Sequence, residues 1–171
     1  MLLLQVLGSG AGTLAALAAG TMFLRRRVRV ERVSVIDAAP ADILALAASN
    51  AGYQKFNPYK KADPALKIEL FGPSSGVGSG FTFDGKDGKG TAVISNVTAE
   101  RVDYALDLGV MGKPQQSLVV VPDGKGSKVT WTMTADMGMN PIGRVMGMLM
   151  DGIVGPTFES GLKSLNAALQ S

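Results

Sequence analysis

Neither cysteine nor histidine occurs in the 171 residues. Their absence removes disulfides, thiolate nucleophiles, Cys/His zinc sites and every triad or general base built on imidazole. Catalysis here would have to rest on Asp, Glu, Lys or Tyr, and a metal would need oxygen ligands. Nothing in the spacing of those residues singles out a catalytic or metal-binding set, and no cofactor is expected. Aromatic residues are scarce at 6%, and a charged fraction of 18% is low for a chain wholly in water. Twenty-two glycines and eight prolines point instead to many turns and a mixed, strand-rich domain.

Charge is also missing locally. From Met1 to Leu24 no side chain is charged, and Gln5 is the one strongly polar group. As a helix these residues would span roughly 36 Å, more than the ~30 Å hydrocarbon core of a bilayer. Residues 1–24 therefore read as a single-pass transmembrane helix. Arginines follow the apolar run rather than precede it, which favours a retained anchor over a cleaved signal and places the rest of the chain on the cytoplasmic side. Gly8, Gly12, Ala16 and Gly20 form a small-residue face opposite leucines, the pattern by which one membrane helix packs on another, whether of a protein partner or of a second copy. A turn-like Gly8-Ser9-Gly10-Ala11-Gly12-Thr13 superficially suggests dinucleotide binding, but Thr13 replaces the third glycine and no βαβ unit follows.

Five arginines lie within residues 25–32, alongside Glu31. Setting these six aside leaves 12 basic and 13 acidic residues, so the basic character of the chain is this one patch. Arg25, Arg26, Arg27 and Arg29 are expected at the surface of a lipid membrane rather than on nucleic acid. Residues 25–32 are read as a basic juxtamembrane segment running into the first strand, and residues 33–171 as one domain of ordinary size.

Val28 to Ile36 is valine-rich and strand-like, Ala41 to Ala48 and Ser49 to Tyr53 read as two short helices, and a turn is expected at Asn57-Pro58. Six strand candidates follow: 67–71, 77–84, 90–97, 101–108, 115–121 and 128–135. Alternation is strictest where Val102, Tyr104, Leu106 and Leu108 share one face and Asp103 and Asp107 the other, which predicts an antiparallel sheet with a dry and a wet side. From Pro141 to Leu169 the period turns helical, with Val145, Met148, Leu149, Ile153, Phe158, Leu162, Leu165 and Leu169 as the apolar stripe. Pro156 is expected to bend or interrupt that helix.

This order of elements, with Asp63-Pro64, Gly72-Pro73, Gly76-Val77-Gly78, Arg101-Val102 and Tyr104, Val129-Thr130-Trp131, Met150-Asp151 to Gly155, Phe158-Glu159 and Gly161-Leu162, resembles the START-like helix-grip superfamily. The likeness is to its polyketide cyclase and lipid-transport branch (SRPBCC-type), over about residues 30 to 165. It implies an α+β fold in which a curved antiparallel sheet wraps a long C-terminal helix around an apolar cavity for lipids, quinones, sterols or polyketides. Where relatives often show tryptophans after the second helix, this chain has Phe56-Asn57-Pro58-Tyr59.

Candidates for the cavity wall are Tyr53, Phe56, Tyr59, Phe81, Phe83, Tyr104, Leu106, Trp131, Met133, Met146 and Met150; aromatic and methionine side chains line apolar pockets, and they also fill cores. The turn at residues 72–78 is read as a hairpin connection. Asp151 and Glu159 could reach the cavity mouth or face water. The leading expectation is a membrane-anchored binding module for a lipophilic small molecule, ahead of an accessory or assembly subunit of a membrane complex and a cyclase or dehydratase.

Overall fold

The computed structural model describes residues 25–139 and 141–170. The expected membrane helix and its glycine face lie outside the described residues; among those described, no helix is long and apolar enough to cross a membrane.

Strand β1 (Arg27–Ile36) is followed by α1 (Pro40–Ala47), α2 (Asn50–Phe56) and α3 (Pro58–Ala62), then by six strands and a last helix. The strands are β2 (Lys67–Phe71), β3 (Gly80–Gly85), β4 (Gly88–Val97), β5 (Arg101–Asp107), β6 (Gln115–Asp123) and β7 (Gly126–Asp136); α4 spans Pro141–Leu169. One antiparallel sheet results, in the order β1-β7-β6-β5-β4-β3-β2. Consecutive strands β2 to β7 pair as hairpins, and β1 closes the far edge along the whole of β7, from Arg27 opposite Asp136 to Ile36 opposite Ser127. The α4 helix runs chiefly along β1 and meets α2 and α3 across the concave face. Val30, Ile36, Phe56, Val102, Leu118, Val129, Trp131, Phe158 and Leu165 are fully buried between these layers.

Four expectations change. The domain starts at Arg27, not at residue 33, because Val28 and Val30 pack inward and pair with β7; a chain cut at 33 loses six of the ten residues of its edge strand. The turn expected at Asn57-Pro58 opens a helix: the Asn57 side chain accepts from Tyr59 N at 3.0 Å and Pro58 takes the first helical position, where no N–H is needed. Val77 lies in an exposed loop, and β3 begins only at Gly80. Pro156 neither ends nor divides α4. The residue before a proline is normally driven out of helical geometry by its own Cβ, and here that residue is Gly155.

Gly155 also admits Arg32, whose guanidinium occupies the space where a Cβ would lie. Arg32 reaches from β1 to α4, donating to Asp151 Oδ1 at 2.8 Å and to Glu159 Oε1 at 2.7 Å. Both acids are thus tied to the sheet rather than aimed at a cavity. The Arg32 hydrogen bonds hold the Asp151 carboxyl below its ordinary value of 3.8. A depressed carboxylate stabilises the fold above its unfolded value and loses that contribution as pH falls through the folded one. Thermal unfolding followed from about pH 5 down to pH 2 should therefore fall less steeply for Arg32→Met than for the unmodified protein. Equal slopes would mean that the pair does not couple α4 to β1.

Candidate ligand-binding cavity

Alternation along the strands sends two cross-sheet rows to the concave face. In one, Phe81, Ala92 and Leu106 stand opposite one another on β3, β4 and β5; in the other, Tyr104, Gln116 and Met133 do so on β5, β6 and β7. At the C-terminal end of α4 the helix touches the sheet directly, since a Cβ on Gly161 would stand 2.5 Å from the Trp131 ring. Toward its N-terminus α4 instead rests on β1, where a Cβ on Gly147 would meet Val28 at 2.7 Å. The face of β3 to β6 is left partly uncovered, and a cavity of about 430 Å³ remains there. That lies within the range of pockets for small molecules, about 300–1,000 Å³.

Of the residues expected to line it, Tyr53, Tyr59, Phe81, Phe83, Tyr104, Leu106, Met133 and Met150 do so. Phe56 and Trp131 do not: both are fully buried behind the wall, with Trp131 stacked on Phe158 at 4.7 Å and edge-on to Phe56 at 5.8 Å. Met146 points outward, because α4 turns Arg144, Gly147 and Gly155 toward the sheet instead. Asp103 and Asp107 do not line the cavity; they form ion pairs with Arg101 and with Lys113, the latter a cavity-lining residue. The cavity is also lined by Asp63, by Gly85, Asp87 and Gly88 at the β3–β4 turn, by the β5–β6 connection from Leu108 to Pro114, and by Asp136 at the end of β7 and Met137 after it, and these loop residues border its opening.

Ala92, Gln116 and Val154 also line the cavity, and sequence reasoning passed over them. For Gln116 a signal was present: it falls in phase with Leu118 and Val120, a polar side chain at a dry position of its strand. Its orientation is forced. Indole N–H is a donor only, so the Trp131 Nε1 contact at 3.3 Å must be with Gln116 Oε1. The amide nitrogen of Gln116 then has no protein partner among the described residues. Tyr104 is spoken for, donating to Ala47 O at 2.7 Å. The Tyr53 hydroxyl has no hydrogen bond to any described residue; burial, then the nearby Tyr104 and Tyr59, push it well above the ordinary phenol value, so it stays protonated. Its ring lies 5.3 Å from that of Tyr104 and 6.2 Å from Trp131, on the same inner wall as Gln116. The cavity therefore combines an apolar surface with two unspent donors at its inner end.

Among the described residues no cluster of His, Cys, Asp and Glu is arranged to hold a metal ion. Residues 27–170 match the family described as polyketide cyclase / dehydrase and lipid transport. The chain belongs to that family. Solved structures agree with the helix-grip fold of this polyketide cyclase / dehydrase and lipid transport domain. A point mutant of norcoclaurine synthase from Thalictrum flavum, in complex with a transition-state analogue, superposes with a TM-score of 0.64 at 15% identity, covering 84% of this chain and 94% of that one. Protein CV1439 from Chromobacterium violaceum gives 0.61 at 14% identity over 84% and 99% of the two chains. The di-domain aromatase/cyclase StfQ of the steffimycin biosynthetic pathway gives 0.62 at 12% identity, over 84% of this chain and 51% of its own. At such identities the likeness concerns the fold. No curated protein sequence matches the chain.

Proposed function

We propose that this domain binds a lipophilic molecule of the lipid or quinone class, held beside a membrane by residues 1–24. Family membership supports ligand binding or cyclase-type chemistry at the coarser level. The observation that carries the finer reading is the cavity wall: about 430 Å³ lined mainly by aromatic, aliphatic and methionine side chains, with Asp63, Asp87, Lys113 and Asp136 among its charged residues and with Gln116 Nε2 and the Tyr53 hydroxyl as donors. A ligand suited to it has an extended apolar body and a carbonyl or similar acceptor at one end. A tether supports the same reading, since a lipophilic ligand resides mostly in the bilayer and a short anchor keeps the cavity at high effective concentration beside it.

Mass spectrometry of lipids retained by the full chain in mild detergent tests this reading. Gln116→Leu keeps the apolar wall and removes the free donor together with the acceptor of the Trp131 indole N–H, so with folding checked by thermal unfolding, affinity for an acceptor-bearing probe such as a prenylated quinone should drop roughly tenfold, as for one lost hydrogen bond, while a hydrocarbon probe is unaffected. A protein that retains nothing and binds no hydrophobic probe would sink the proposal and leave the accessory-subunit reading ahead.

A further inference from the structure

The first half of α4 is apolar nearly all round. On one side Met150 and Val154 line the cavity. On the other, Ile142, Val145, Met146, Met148, Leu149 and Ile153 are between 44% and 72% exposed. A helix apolar on every face is ordinarily buried, and a helix packed on one side against its own domain in water carries polar residues on the other. Here the two charged side chains of the segment are both engaged by the domain instead, Arg144 buried and Asp151 at the surface. Arg144 is buried, with its Nε donating to Gly138 O at 3.2 Å, and Asp151 is bonded to Arg32. Beside the same opening, the β5–β6 connection holds Val110 fully exposed and Met111 largely so, and Met139 is exposed ahead of α4. Apolar patches of this kind on soluble surfaces mark interaction sites.

Two further observations indicate what meets this face. Met137 N donates to Arg26 O at 2.8 Å, so Arg26 lies directly beside the β7–α4 junction, and the 24 residues that precede Arg25 in the sequence carry no charge. Basic side chains border the patch as well. Arg26 pairs with Asp136 and Arg29 with Glu31, whereas Arg25 and Arg27 are exposed and have no carboxylate within ion-pair distance among the described residues. Apolar side chains flanked by exposed arginines, of which Arg27 faces Asp136 across the strand pair without forming an ion pair, match an anionic bilayer: the first enter the acyl boundary while the second meet lipid phosphates.

We infer that the N-terminal half of α4 and the rim of the cavity dock into an anionic lipid bilayer, so that the cavity opens into the membrane and not into water. Docking stands apart from the cavity reading; the direct route for a ligand from bilayer to cavity rests on it.

The absence of cysteine makes the test direct, because a single introduced cysteine carries the only label. Ile142→Cys, and separately Lys125→Cys on the distant β6–β7 turn, are coupled to an environment-sensitive fluorophore in the full chain. Each is reconstituted in phosphatidylcholine vesicles with and without phosphatidylglycerol, part of the lipid being brominated in the acyl chain. Quenching at residue 142 but not 125, stronger with phosphatidylglycerol, is the expected result. Adding Met148→Glu and Leu149→Glu should remove most of it, since burying even one such side chain is worth about a tenfold preference for the apolar phase. Equal, water-like emission at both positions overturns the proposal. A label shielded from aqueous quencher yet unaffected by bromine also overturns it, for the cover would then be protein: residues 1–24, a second copy or another chain. Probe binding by the same samples is read separately, so loss of docking and loss of ligand binding are told apart.

Discussion

Trp131→Ala should lower the unfolding free energy by about 3–5 kcal/mol, the cost of truncating a fully buried large aromatic residue, against about 5–15 kcal/mol for a whole domain. The reason for placing it at the top of the range is the number of elements that meet there. The indole stacks on Phe158 of α4, lies edge-on to Phe56 and Tyr53 of α2, and donates to Gln116 of β6. Gly161 comes close because the ring occupies the space a side chain would need. Deleting it opens a void where helix, sheet and helical pair join and strands the Gln116 amide. Urea denaturation followed by circular dichroism measures the loss, since Trp131 is the only tryptophan and its fluorescence disappears with it. Trp131→Phe should recover most of the packing while still freeing Gln116 Oε1. A shift in midpoint equivalent to less than about 1 kcal/mol for Trp131→Ala would show that the ring is not the joint described here.

Ala92→Trp should do the reverse, leaving stability nearly unchanged while reducing affinity for a lipophilic probe at least about tenfold. Ala92 stands between Phe81 and Leu106 on the concave face; it is buried at the edge of the core and lines the cavity. An indole there fills space that a ligand would otherwise occupy, and it replaces no existing contact. Larger side chains are costly in a well-packed interior, but this position borders a void. Titration with a fluorescent hydrophobic probe, paired with thermal unfolding, separates the two effects. Undiminished probe binding by a folded Ala92→Trp protein would place the ligand elsewhere; joint loss of folding and binding is resolved by the smaller Ala92→Leu.

Apart from α3, which was read as a turn, the strand and helix order was legible from residue pattern alone because each depends on neighbours within one element. Alternation at Val102, Tyr104 and Leu106 assigns a dry face whatever the sheet does next, and Asn57-Pro58 carried a helix start that could have been read from its cap. Family membership followed from the same local fragments. Periodicity marks a side chain as apolar-facing, however, without saying what it faces. Trp131 and Met133 share one face of β7, yet the first is sealed in the core and the second borders the cavity. That difference comes from where α4 touches the sheet, at Gly161, and where it rests on β1, at Gly147 and Gly155. The apolar stripe expected along α4 divides for the same reason. Phe158, Leu162 and Leu165 meet the core, while Val145, Met148, Leu149 and Ile153 remain outside, because β1 takes up the glycine side of the helix and Arg32 pins it there. The sequence by itself determined the elements, their wet and dry faces and the family, since those are set by short-range sterics and hydrophobic period. Only the tertiary structure decided which dry residues are core, cavity or open surface, since that depends on how closely one helix approaches one sheet along its length.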